Sequence, residues 1–199
     1  AFVGGWVLTA DRLGKLVCWS KEGDLLEEVF LEKKKMQPIL QFCEGSESNK
    51  VWVVAGTDIL KVTLSDTENM KIEEVVTKAH PETIKGAAIV GNKLWTCCSS
   101  KLKVWDLDNE CNLLRTIKMS ETVYCMEVVD LKGNQTLWMG GNEKITILNV
   151  TSYQKVKLIM KLLPRLKGDV TSIKSVGVNC VWVAINGSEA ELEQWDLNF

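Results

Sequence analysis

Histidine is nearly missing. The 199 residues hold 1, His80, followed directly by Pro81. A Ser–His or Cys–His mechanism would have to run through it, and no supporting residues announce themselves. Gly-x-Ser-x-Gly, Walker-type loops and Rossmann fingerprints do not occur, so no catalytic or cofactor-binding residues are expected. A basic excess is lacking as well. The net charge is −2, whereas nucleic-acid binders usually carry a positive surplus. No apolar run is long enough to cross a bilayer, and Ala1–Gly5 leads straight into strand-like sequence rather than a signal peptide. The chain has no initiator methionine and stops at Trp195-Asp196-Leu197-Asn198-Phe199, which reads as an excised or incomplete piece of a longer polypeptide.

Paired cysteine spacings are also missing. Cys18, Cys43, Cys97, Cys98, Cys111, Cys125 and Cys180 form no Cys-x-x-Cys, and an odd number fits reduced thiols in the cytoplasm better than a disulfide framework. Small buried hydrophobes are the expected roles, with the adjacent Cys97 and Cys98 on opposite faces of a strand. Three glycosylation triplets begin at Asn134, Asn149 and Asn186, and the free thiols argue against their use. Hydrophobic residues at 46% and charged residues at 25% place the chain among ordinary globular proteins, excluding disorder.

What is present is a repeat. Trp6, Trp52, Trp95, Trp138 and Trp182 each follow a small or aliphatic residue and lead into a polar turn and a second strand, at separations of 46, 43, 43 and 44 residues. The third copy is clearest. Lys93–Cys98 reads as a strand, Ser99-Ser100 as a turn, Lys101–Leu107 as an alternating strand, and Asn112–Lys118 and Thr122–Val129 as two more. No helix-period segment of convincing length intervenes. A period near 43 suits the four-stranded blades of a β-propeller and is too long for leucine-rich or helical-hairpin repeats. The expected fold is therefore all-β: about five four-stranded antiparallel blades, approximately 1–36, 37–83, 84–121, 122–168 and 169–199. Small residues after the tryptophans, such as Gly140-Gly141, suit close packing near a central axis.

The copies resemble WD repeats, whose Trp-Asp dipeptide ends the third strand. Trp105-Asp106 and Trp195-Asp196 match, Trp19-Ser20 keeps the tryptophan, and Thr63-Leu64 and Leu148-Asn149 lose both residues. The family's Gly-His dipeptide occurs nowhere, so its His–Asp–Ser/Thr–Trp network is incomplete, save for a displaced version at His80. The resemblance implies a propeller of the kind appended to multidomain signalling proteins, such as Rho exchange factors and Roco-type kinases.

Counting strands from the axis outward gives three, four, four, four and three, the first unit lacking its innermost strand and the last its outermost. Three arrangements would cover the bare end faces: a closed five-blade ring with two thin blades, an arc of a larger ring, or an arc completed by a partner, and the mid-blade termini favour the larger ring.

One tryptophan at the same position in each repeat is read as an inter-blade wedge rather than a ligand-stacking surface. Asp58, Asp106 and Asp196 are scattered one per blade, so they are read as turn and backbone ligands and no metal site is expected. His80 is read as a turn residue between an outer and an inner strand, in preference to a network remnant or a pH-sensitive contact. The stretch 154–168 interleaves Lys155, Lys157, Lys161, Arg165 and Lys167 with aliphatic residues. As a helix it would put Lys157, Lys161 and Arg165 on one face, suited to acidic lipid or a partner. Pro164 and the phase of the repeat favour an outer strand with solvated lysines instead. Lys33-Lys34-Lys35 reads as a solvated connector offset by Glu27, Glu28 and Glu32. The expected function is a non-catalytic, cytoplasmic protein–protein interaction platform, without cofactor, metal or nucleic acid. The alternative is a regulatory module binding acidic membrane lipids through 155–167.

Overall fold

A computed structural model describes residues 2–3, 5–11, 13–31, 39–44, 49–64, 70–131, 133–152, 166–177 and 179–197. All its regular elements are strands, and no helix among the described residues is long and apolar enough to cross a membrane. Five antiparallel sheets follow one another along the chain. Sheet 1 holds β1 (Phe2–Val3), β2 (Trp6–Ala10), β3 (Lys15–Trp19) and β4 (Leu25–Phe30). Sheet 2 holds β5 (Ile39–Glu44), β6 (Lys50–Ala55), β7 (Asp58–Leu64) and β8 (Met70–Val76). Sheet 3 holds β9 (Gly86–Val90), β10 (Lys93–Cys98), β11 (Lys101–Asp106) and β12 (Asn112–Lys118). Sheet 4 holds β13 (Val123–Leu131), β14 (Asn134–Gly141) and β15 (Lys144–Asn149), and sheet 5 holds β16 (Gly168–Val176), β17 (Cys180–Gly187) and β18 (Ala190–Asp196). Each sheet is a meander in which sequence neighbours pair, so contacts within a sheet stay local.

One expectation about strands needs correction. The first sheet has its innermost strand: Phe2 and Val3 pair with Val7 and Trp6. Two residues are too few to show a period of two, and the chain reverses at Gly5, whose φ of +97° suits glycine. The turn between β17 and β18 lies at Ser188-Glu189, because Asn186 still pairs with Ala190. Gly187 is needed for another reason. A Cβ there would lie 2.5 Å from the Lys167 carbonyl oxygen, so the chain entering sheet 5 crosses this strand too closely for a side chain. The fourth strand expected in 154–168 falls almost wholly outside the described residues, as does the Lys33–Lys35 connector.

The described chain divides into two compact units: Ala1–Ile84 with Gly91–Leu94 and Val104–Leu114, and Lys85–Val90 with Trp95–Lys103 and Arg115–Phe199. In the first, sheets 1 and 2 pack face to face. Leu8, Leu16 and Cys18 meet Val51, Val53, Leu60 and Val62, and Trp6 joins them from the edge. In the second, Val129, Trp138, Ile145 and Ile147 of sheet 4 are buried against Val170, Ile173, Val181, Val183 and Ile185 of sheet 5. Burying such aliphatic side chains stabilises by roughly 1.5–3 kcal/mol each before entropy is counted. Along β17 the odd positions face sheet 4 and the even positions face away.

Glycine makes the second interface close. A Cβ on Gly140 would overlap Val170 Cγ1 and lie 2.7 Å from Cys125 Sγ, and one on Gly141 would overlap the Thr122 carbonyl oxygen. The Gly140-Gly141 pair is a packing device, as its place after the tryptophan implies. Across the same interface, Lys174 Nζ of β16 lies 2.9 Å from Glu127 Oε2 of β13, and the Ser175 N–H donates to Glu127 Oε1 at 3.3 Å.

Candidate functional site

The tryptophan anchors all lie on second strands: Trp6 on β2, Trp52 on β6, Trp95 on β10, Trp138 on β14 and Trp182 on β17. Trp52, Trp95 and Trp138 are buried, and Trp6 and Trp182 are half-buried. Trp138 has its indole N–H satisfied locally. It donates to Thr136 Oγ1 at 3.0 Å, and that hydroxyl donates to the Val129 carbonyl at 2.8 Å. Its ring meets Trp195 at 6.1 Å between centroids. A ring so enclosed is core, not a stacking platform for a ligand.

Asp58 and Asp106 are used by turns and connectors. Asp58 Oδ1 accepts from Thr57 Oγ1 at 3.0 Å and from the Lys78 N–H at 2.7 Å. Asp106 accepts from the Asp108 N–H at 3.1 Å and from Asn109 Nδ2 at 2.7 Å. Among the described residues, no group of three or more His, Cys, Asp or Glu side chains gathers where a metal could be held.

His80 sits in the turn between the outer strand β8 and the inner strand β9, as expected, but it is not a solvated turn residue. It is 1% exposed, and its ring meets the edge of Trp105 at 6.5 Å between centroids. The chain's one histidine thus packs on the tryptophan of a Trp-Asp dipeptide. Trp105-Asp106 ends β11 and Trp195-Asp196 ends β18, each the third strand of its sheet.

Among the described residues, the thiols of Cys97, Cys98, Cys111, Cys125 and Cys180 are free, and Cys18 is buried. Both Cys97 and Cys98 are buried, one on each face of β10. Burial pushes the Cys97 thiol far above its ordinary range, helped by the nearby Cys125 and Cys98. Burial and then the Asp106 charge push Cys111 up to about 12, and burial pushes Cys125 up to about 11. Thiols held protonated are poor nucleophiles.

Of the five basic residues singled out in the sequence, Lys155, Lys157, Lys161 and Arg165 lie outside the described residues. Lys167 is exposed, set between buried Leu166 and Gly168 at the start of β16.

The arrangement that sequence reasoning missed is a pair of repeated turn contacts. At one end of sheets 1 to 4, the turn joining the second and third strands bonds to the chain leaving or approaching the next sheet. The Leu31 N–H donates to Gly14 O at 3.0 Å in sheet 1, and Ile84 to Gly56 O at 2.8 Å and His80 to Thr57 O at 3.3 Å in sheet 2. In sheet 3 Met119 donates to Ser100 O at 2.9 Å and Val123 to Ser99 O at 3.2 Å, and in sheet 4 Glu143 donates to Gly168 O at 3.2 Å. The opposite ends carry a matching lock. Leu64, Leu107 and Leu197, just beyond or at the end of third strands, donate to the carbonyls of Asn49, Asn92 and Asn179 at 2.9, 3.0 and 2.8 Å. The signal was present as Asn-x-aliphatic-Trp at 49–52, 92–95 and 179–182, hidden because the tryptophan drew the alignment.

At the first kind of end, sheet 4 has a shallow cleft lined by Glu121, Thr122, Met139, Gly141 and Lys144, with room for about one water molecule. Lys144 Nζ bonds Glu121 Oε1 across it at 2.5 Å. Small-molecule sites are some hundreds of Å3 and largely apolar, so this cleft does not fit one. The chemistry on offer is that of ordered turns presenting side chains.

No family model and no curated protein matches the sequence. Among solved structures 934 chains resemble it, a breadth that fits an architecture reused for many functions and therefore identifies fold rather than role. One is a chain in the "Crystal Structure of Mitotic Checkpoint Complex", with a TM-score of 0.72 at 13% identity. The match covers 96% of this chain and 57% of that one, so the present sequence spans little more than half the length of its structural neighbour. That neighbour is a WD-repeat propeller. With its five antiparallel meanders, wedge tryptophans and Trp-Asp strand ends, the chain has the fold of a WD-repeat-like β-propeller.

Proposed function

We propose that this chain is a non-catalytic protein–protein interaction scaffold, part of a larger signalling or regulatory protein in the cytoplasm. The observation that carries the reading is the repeated bonding of second-to-third-strand turns to the inter-sheet connectors. Loops fixed in this way lose little entropy on binding, which is what a rigid platform needs. Other observations agree with it. The carboxylate of Asp58 is engaged by its own turn and by the connector after β8, that of Asp106 by its own turn, and the buried thiols are held protonated. Free cysteines fit a reducing compartment. The structural neighbour, too, comes from a multi-protein complex. The five sheets are read as part of a larger ring, in keeping with the 57% coverage of that neighbour.

The test is to reverse Lys101 and Lys144, each just after such a turn, in the natural polypeptide, and follow its co-purifying proteins quantitatively. Selective loss of a stoichiometric protein supports the scaffold reading. An unchanged set of partners, or a substrate turned over by the purified protein, overturns it.

The lipid reading is kept by one observation, the exposure of Lys167 at the end of the basic segment. It requires salt-sensitive binding to anionic vesicles that is lost on reversing Lys157, Lys161 and Arg165. Absent or salt-insensitive binding removes it.

A further inference from the structure

Asparagine followed by glycine occurs once in the chain, at Asn186-Gly187. A backbone nitrogen can attack the side-chain amide carbon of an asparagine just before it, and glycine, with no Cβ and the widest backbone freedom, hinders that attack least. Every other asparagine precedes a residue that carries a side chain. Several are also tied down. Asn49 Nδ2 donates to the Leu64 carbonyl at 3.2 Å, Asn92 Nδ2 to Asp108 Oδ2 at 2.6 Å and Asn109 Nδ2 to Asp106 Oδ2 at 2.7 Å. Asn149 Oδ1 accepts from the Thr151 and Ser152 N–H groups at 2.9 and 2.8 Å. Asn186 is exposed, and no such bond holds its amide among the described residues. It also stands at a strand end. Asn186 pairs with Ala190 across the Ser188-Glu189 turn, and the Gly187 N–H reaches the Glu189 carbonyl at 3.4 Å, a long hydrogen bond. Strand ends of this kind open at little cost.

We infer that Asn186 is a site of spontaneous deamidation, and that the charge it gains loosens the entry of the chain into sheet 5. With the strand end open, the Gly187 nitrogen bonds to the Asn186 amide carbon. The side-chain nitrogen leaves as ammonia, taking the proton that the Gly187 nitrogen gives up. Water then opens the five-membered imide at either carbonyl, leaving aspartate or isoaspartate. No oxidant, reductant or enzyme is required. The surroundings give the product its effect. Asn186 stands opposite Asp169 on β16, so a carboxylate there faces another directly, and like charges opposite one another in a sheet are destabilising. Isoaspartate also lengthens the backbone by one methylene, where a Cβ on Gly168 would already lie 2.5 Å from Gly187 Cα. Gly168 is where sheet 4 grips the connector: its carbonyl accepts the Glu143 N–H at 3.2 Å, and Asn142 pairs with Asp169 in an isolated bridge. Deamidation at Asn186 therefore acts on one of the repeated turn contacts.

The experiment ages the natural polypeptide at neutral and at mildly alkaline pH and follows each asparagine by peptide mass spectrometry, counting aspartate and isoaspartate separately. Asn186 should convert within about tenfold of its rate in the urea-unfolded chain, as a strand end that opens readily allows. Conversion should be faster at the higher pH, because the attacking nitrogen must shed its proton, and every other asparagine of the folded chain should lag behind. Conversion of Asn186 no faster than the rest would overturn the site, as would a glycan found on it. The consequence is read from Asn186→Asp, which fixes the product, beside Asn186→Ser, which has neither amide nor charge. The Glu143 amide should exchange with solvent several-fold faster in Asn186→Asp, with the amides of β14 protected in both variants as the folding control. Equal exchange at Glu143 would overturn the effect on the connector. The ageing arm needs no variant, and neither arm measures partner binding, so the scaffold reading is tested separately.

Discussion

Trp138 and Trp182 hold the same register position in adjacent sheets, opposite Glu127 and Lys174 on their innermost strands, yet Trp138 is buried and Trp182 half-buried. The difference comes from what lies beyond each sheet, not from the strands that carry them. Truncation should show it. In the 199-residue chain Trp138→Ala is expected to cost about 3–5 kcal/mol, the range for deleting a buried aromatic. Trp182→Ala is expected to cost about 1 kcal/mol, as for partly exposed sites. Urea denaturation measures both, and equal losses would show that Trp182 is already core.

Gly140→Ala tests the closeness of sheets 4 and 5. The added methyl has nowhere to go between Val170 and Cys125, so a loss of about 1–3 kcal/mol is expected. Gly177→Asn is the comparison: its φ is +65° with open space around it, a conformation asparagine tolerates. If both variants melt alike, the interface is looser than described.

Asp58→Ala removes the acceptor for the Lys78 N–H, at a residue whose φ is +51°. Leaving that turn unanchored should cost about 1–3 kcal/mol. Hydrogen exchange gives the sharper readout, since the Lys78 amide should lose protection while the amides of β6 keep theirs. Unchanged exchange at Lys78 would mean that the carboxylate does not hold the connector.

The raised thiols give a pH dependence of defined sign. Cys111 and Cys125 stand at about 12 and about 11 in the folded chain against an ordinary value of 9.0. The folded state therefore binds protons more tightly than the unfolded state. Their contribution is fully present below pH 9 and is lost as pH rises through 11 and 12. Stability should fall over that window, and the double variant Cys111→Ala, Cys125→Ala should fall less steeply. Parallel curves would show that neither thiol is shielded.

The fold was legible because its signal is local. Each blade is a meander, so Trp95, the turn at Ser99-Ser100 and Trp105-Asp106 already stand in order along the chain. Features set by other segments were not legible. Phe2 and Val3 become a strand only by pairing with Trp6 and Val7, and two residues carry no periodicity. Gly187 looks like a turn residue in sequence, but its need for glycine comes from Lys167, twenty positions earlier. His80 was placed correctly in a connector, yet its burial against Trp105 depends on a residue 25 positions away. The turn-to-connector bonds use backbone atoms, which no residue type announces.

The central claim is that the turns at the connector ends of the sheets hold a protein partner. It is tested most directly by cross-linking mass spectrometry on the natural polypeptide in its own cells. Lys101 and Lys144, beside those turns, should form cross-links to a single recurring protein, lost when both lysines' turns are rebuilt with glycine and serine. Cross-links from these lysines that go only to other parts of the same chain would contradict the claim and leave the propeller without its proposed role.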